Sequence, residues 1–131
     1  MELEYGYLYS REVNETLQKL FKTQFQWNMT KKMLKLKKEW NKNFEELKKE
    51  YVPLLDEYLE KDESGDFLKP EKIKAGKTRA ELDSVTRDFM AKKFTIPVEK
   101  IKVKHLVDQG CRFSPEELEM LEPILDGVED T

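Results

Sequence analysis

The sequence predicts an α+β fold, mostly α, and three observations carry that prediction. Apolar residues between Met33 and Tyr58 recur at steps of three and four, the spacing of one helix face. Thr78-Arg79-Ala80-Glu81 and Ser114-Pro115-Glu116-Glu117 have the form of helix N-termini. Leu3-Glu4-Tyr5-Gly6-Tyr7-Leu8-Tyr9 and Ile101-Lys102-Val103-Lys104 carry the aromatic or alternating pattern of strands. The architecture expected is a long kinked amphipathic helix packed on two or three further helices, with a small β-sheet or hairpin.

Residues 3–9 read as a short strand, and Ser10 is placed to cap a helix running to about Gln26. The apolar face of that helix uses Val13, Leu17, Leu20 and Phe21. Thr30 is the expected N-cap of the long helix, whose stripe is Met33, Leu36, Trp40, Phe44, Leu47, Tyr51, Leu54 or Leu55, and Tyr58. Pro53 lacks an N–H and its ring collides with the preceding turn, so a kink or a restart is expected there. Asp62-Glu63-Ser64-Gly65-Asp66 then ends the helix as a polar turn.

A Lys-rich connection at 69–77 leads to a helix from Thr78 to about Lys93, with Leu82, Val85, Phe89 and Met90 as its stripe. Residues 95–98 and 101–104 read as extended, Pro97 marking an edge or a strand start, and they pair with 3–9 in the expected sheet. The last helix starts at Ser114 with Pro at its first position, Glu at its third and a Phe113 to Leu118 staple, and runs to about Glu122.

A chain of 131 residues fits one domain, here 1–131 with 126–131 as a flexible tail. The hydrophobic fraction is low at 38% and the charged fraction high at 39%, yet seven Phe, five Tyr and two Trp supply enough large apolar surface for a core. One cysteine, Cys111, forms no internal disulfide, and one histidine, His105, makes no conventional zinc site. The N-terminus is acidic and no apolar run reaches the roughly 18 residues of a membrane span. The expected setting is therefore cytoplasmic, with no membrane partner.

Net charge is −3 but unevenly spread, with ten Lys against three Glu over residues 19–49 and eight acids against one Arg over 108–131. At about 100° per residue, Lys31, Lys35, Lys38, Lys42 and Lys49 fall in one sector of the long helix, opposite Trp40 and Tyr51. Such a row suits a nucleic-acid backbone, whose phosphates give salt-dependent affinity, and it equally suits a solvated helix face or the complement of the acidic tail. The solvated face is the simpler reading, because no nucleic-acid-binding signature accompanies it and the stripe aromatics sit opposite the lysines.

Other constellations reduce to local structure. Ala75-Gly76-Lys77-Thr78 resembles the end of a phosphate loop, but Glu71 stands where that loop needs its first Gly, and capping explains Thr78. Asp62, Ser64 and Asp66 resemble a calcium loop, but Gly65 is one position early and Ile73 stands where a bidentate Glu is required. His105 and Cys111 have no signature that pairs them as base and nucleophile, and read as a strand-end His and a small buried thiol.

The helix ending Glu46-Leu47-Lys48-Lys49-Glu50-Tyr51, the Lys61-Asp62-Glu63-Ser64-Gly65-Asp66 turn, the helix end at 89–94 with its extended run, and the segment from Phe113 to Ile124 occur in one order. That layout, over about residues 30–125, resembles a group of small uncharacterised accessory proteins of tailed phages of Gram-positive bacteria. The resemblance implies a role in virion assembly or in binding a host factor, in the host cytoplasm, and supplies no catalytic residues.

The function expected is a non-enzymatic protein-binding module. Its contact residues are Tyr5, Tyr7 and Tyr9, placed on one strand face by alternation, with Trp27 and the acidic helix residues Glu116 and Glu119. The alternative is a nucleic-acid-binding protein using Lys31, Lys35, Lys38 and Lys42. No catalytic residue, cofactor or metal is expected, and the heptad-like face of the long helix offers a route to a homo-oligomer.

Overall fold

The computed structural model describes residues 1–128. In chain order the elements are β1 (Glu2–Glu4), α1 (Tyr5–Tyr9), α2 (Arg11–Phe21), α3 (Trp27–Tyr58), α4 (Arg79–Met90), β2 (Lys93–Thr95), β3 (Ile101–Lys102), α5 (Val103–Asp108), α6 (Pro115–Leu121), a 3-10 turn (Glu122–Ile124) and β4 (Leu125–Asp126). The fold is α+β and mostly α, built on the 32 residues of α3.

The three-and-four spacing of α3 puts Met29, Met33, Leu36, Trp40 and Leu47 on one buried stripe. Helices α1, α2 and α4 contact α3, and α6 packs on α2. Val13, Leu17 and Leu20 of α2 share a core with that stripe, with Phe89 of α4 and with Ile96, Ile101, Leu106, Leu121 and Ile124 from the C-terminal half. The heptad-like face offered above for self-association is thus consumed inside the chain.

Residues 3–9 are not one strand. Only Glu2–Glu4 pairs with another strand, antiparallel to Lys93–Thr95 with Leu3 opposite Phe94, and Tyr5–Tyr9 then coils into α1. Coiling buries Leu8 completely and brings Gly6 against the end of α4, where even a Cβ would lie 3.3 Å from the Met90 carbonyl oxygen. Ser10, in extended conformation, ends α1 and caps α2 through its Oγ, which accepts from the Val13 N–H. Helix α2 stops at Phe21, five residues short of the expected Gln26.

Helix α3 starts at Trp27, earlier than a Thr30 cap implies; the Thr30 hydroxyl instead donates to the Phe25 carbonyl at 3.1 Å. It continues past Pro53 to Tyr58. The ring of Pro53 faces solvent, and Leu54 and Tyr51 pack on the core on either side of it, so burial holds the helix together across the missing N–H.

The turn at 62–66 forms as expected: Asp62 Oδ1 accepts from the N–H groups of Ser64 and Asp66, and Gly65 supplies a φ of +84°. Helix α4 ends at Met90, three residues before Lys93, which joins β2. The alternation at 101–104 misleads, because only Ile101 and Lys102 are extended before Val103 begins α5; burying both Val103 and Leu106 needs helical spacing. Strand β3 pairs with β4, in parallel, rather than with the N-terminus, so there are two separate two-stranded sheets among the described residues. Part of the expected tail is structured: Asp126 lies in β4 and Gly127 and Val128 are half-buried, while 129–131 lie outside the described residues.

Candidate protein-docking surface

The first half of α3 has a composition unlike the rest of the chain. From Trp27 to Lys38 it carries five lysines and no acid, the first acid being Glu39. Its apolar stripe goes to the core, so everything else on it faces outward. Taking Trp40 as the centre of the buried face and about 100° per residue, Leu34 and Trp27 point roughly 120–140° away from it. Lys31, Lys35, Lys38 and Lys42 follow next around the cylinder, opposite the core.

Both apolar residues are exposed, Trp27 at 71% and Leu34 at 49%. They lie two turns apart, about 10 Å along one side of the helix. The Lys31 ammonium stands 5.8 Å from the centre of the Trp27 ring, a cation–π distance. Beside Leu34 a groove of about 150 Å³ opens between α3 and the connection from α2, lined by Phe21, Thr23, Phe25, Thr30, Met33, Leu34 and Lys37. The Gln26 N–H, at the helix start, donates to Gln109 Oε1 at 2.7 Å and so ties this end of α3 to the residue that closes α5.

The lysine row forms no ion pair among the described residues, while other surface charges do pair. Lys19 meets Glu117 at 3.0 Å, Arg11 meets Glu15, and Arg79 meets Glu71 and Asp83. The acidic C-terminal helix therefore complements α2 through Lys19, not the row on α3. The Glu117 carboxyl, which accepts from the Ser114 N–H and pairs with Lys19, is held below its ordinary pKa by those two contacts. Its neighbours Glu116 and Glu119 stay exposed, as a contact surface needs, but no large hydrophobic side chain of α6 is exposed beside them.

The tyrosines are placed differently from the expectation. In a helix, Tyr7 points away from Tyr5 and Tyr9, so no shared three-tyrosine face exists. Tyr5 packs between the rings of Phe89 and Phe94, at 5.3 and 5.6 Å. Tyr7 meets Trp40 edge-on at 5.9 Å and its hydroxyl donates to the Met120 carbonyl. Burial pushes the Tyr7 phenol well above its ordinary pKa. Tyr9 is half-exposed, stacked on Phe44, and borders an open cleft of about 420 Å³ with Asn14, Gln18 and Arg11. Tyr5 and Tyr7 are thus half-buried against the core, and of the four expected contact aromatics Tyr9 and Trp27 are the exposed ones.

His105 is exposed on α5 rather than at a strand end, and Cys111 is half-buried, its thiol pushed up in pKa by that burial. No group of three or more His, Cys, Asp or Glu is placed to hold a metal ion among the described residues. Thr78 caps α4: its hydroxyl accepts from the Glu81 N–H and donates to the Glu81 carboxylate, both at 3.1 Å. No helix of the described residues is long and apolar enough to cross a membrane.

Leu34, Lys37 and the groove beside them are absent from the sequence-derived site. The available signal was a single Leu outside the stripe, on the lysine side of the helix. Comparison of the chain with protein-family models, with curated proteins and with solved structures finds no match.

Proposed function

We propose that the protein is a non-enzymatic protein-binding module whose contact surface is the outer face of α3 from Trp27 to Lys42. One observation carries this reading: Trp27 and Leu34 are exposed, two turns apart on one side of a helix whose Met29, Met33, Leu36, Trp40 and Leu47 stripe is buried in the core. Aromatic and aliphatic anchors with a charged rim are the usual composition of a binding hot spot. Leaving a Trp in water forgoes burial worth about 1.5–3 kcal/mol for a large apolar side chain, which a partner recovers. The resemblance to small tailed-phage proteins supports a virion-assembly or host protein as that partner. The lone, half-buried thiol of Cys111 is compatible with a reducing compartment, such as the cytoplasm of a host.

A second reading is favoured by the lysine row itself, which forms no ion pair among the described residues and has Trp27 at its edge. Phosphates along a nucleic acid fit Lys31, Lys35, Lys38 and Lys42, with a base stacked on Trp27. Affinity capture with wild type, Trp27→Ala and a Lys35→Glu/Lys38→Glu double variant, each with and without nuclease, separates the two. Protein binding is supported by a stoichiometric protein that survives nuclease and is lost from both variants. Recovery of nucleic acid alone, or of proteins released by nuclease, overturns it in favour of the lysine row.

A further inference from the structure

The groove beside Leu34 narrows the chemistry of the partner. Resting on the protein-binding reading, we infer that this face takes an acidic peptide segment carrying one medium-sized apolar side chain, which enters the groove between α3 and residues 22–26. At about 150 Å³ the groove is smaller than the roughly 300–1,000 Å³ typical of small-molecule sites, and it is the size of a side chain. Phe21, Phe25, Met33 and Leu34 give it apolar walls.

Cations bracket that apolar strip. Lys37 lines the groove on the core side of Leu34, and Lys31 and Lys38 stand beyond Trp27 on the other, with no acid on the helix before Glu39. A segment lying along α3 therefore meets positive charge on both flanks of its anchor. Carboxylates there gain hydrogen-bonded ion pairs at the rim and steer association. A nucleic acid satisfies the lysines but leaves the walled groove and Leu34 uncovered. A lipid surface is flat, whereas the groove is recessed and takes a single point anchor.

The test uses the full chain and synthetic peptides, read by calorimetry and by the change in tryptophan emission, to which exposed Trp27 is expected to respond and buried Trp40 is not. The probes are a Glu/Asp-rich peptide with one central Leu, the same peptide with Ser for Leu, a Lys-rich peptide with the Leu, and a single-stranded DNA of matched charge. The acidic Leu peptide is expected to bind at least about tenfold more tightly than the other three. That preference is expected to disappear in Lys37→Glu and in Leu34→Asp, each shown to be folded by circular dichroism. Equal affinity for the Ser peptide or the DNA overturns the inference, because charge alone then accounts for binding. Absence of binding by every peptide overturns it as well. The capture described above then separates the levels: a nuclease-resistant partner lost from the Lys35→Glu/Lys38→Glu variant leaves the docking face standing and removes only the acidic-anchor partner. Failure to capture such a partner removes both.

Discussion

At the scale of single residues, two polar side chains determine whether the buried aromatic centre is satisfied. Asn14 donates from Nδ2 to the carbonyls of Leu8 and Ser10, both at 2.8 Å, and its Oδ1 accepts from Trp40 Nε1 at 2.9 Å. One side chain thereby ties α1, α2 and α3 together. Asn14→Ala leaves the Trp40 N–H and a helix-end carbonyl without partners in a half-buried place, at an expected cost of about 1–3 kcal/mol in urea unfolding. A loss below about 0.5 kcal/mol, the level of an ordinary surface change, would show that water replaces it. Tyr7 governs the alkaline limit. An unfolded tyrosine ionises near pH 10, whereas buried Tyr7 keeps its proton above that, and burial raises Tyr51 and Tyr5 in the same direction. From about pH 10 upward the unfolded chain has released protons that the folded chain retains, so stability is full below that pH and falls as pH rises. Thermal melts should decline above pH 10, and less steeply for Tyr7→Phe; an unchanged slope in that variant would remove Tyr7 as the cause.

At the scale of elements, α3 tests how far packing overrides local preference. Pro53 removes one N–H from an interior turn, yet the helix runs on, so the neighbouring burial outweighs the defect. Pro53→Ala restores that hydrogen bond at a solvent-facing position. Proline is about 3 kcal/mol less favourable than alanine inside a helix, offset by about 0.4–1 kcal/mol for its stiffening of the unfolded chain. A net stabilisation of about 1–3 kcal/mol and a higher Tm are expected; a lower Tm would mean that proline's restriction of the unfolded chain outweighs the restored hydrogen bond. The same competition explains what was legible. Long periodic stripes and capping residues act within a few positions of themselves, so α3, α4, α6 and the Asp62 turn are readable in order and nearly in extent. Residues 5–9 and 103–108 are short, and their alternation fits strand or helix equally until Leu8 and Leu106 find the core. Strand pairing joins positions nearly a hundred residues apart, such as Leu3 and Phe94, which no local pattern encodes.

At the scale of the whole molecule, charge shows where stability and binding pull in different directions. The lysine row was legible because helical spacing alone aligns it, but its separation from the acidic end was not: α6 docks on α2, and Glu117 finds Lys19 there. Among the described residues no acid forms an ion pair with the row, so the repulsion between its lysines stands. Lys38 faces Lys35 at i−3 and Lys42 at i+4, and like charges at these spacings disfavour a helix by about 0.2–0.5 kcal/mol per pair. Lys38→Glu converts both repulsions into attractions, with Glu N-terminal to Lys42 in the better orientation. The variant is expected to be more stable than wild type by about 1 kcal/mol at low salt, with the gain shrinking as salt screens it. It is also expected to bind the partner more weakly. Stabilising surface-charge changes are common in natural proteins, so the gain in stability alone does not mark a binding face; the accompanying loss of partner does. If Lys38→Glu is more stable and captures partner undiminished, the row is an ordinary solvated surface and the contact rests on Trp27 and Leu34 alone.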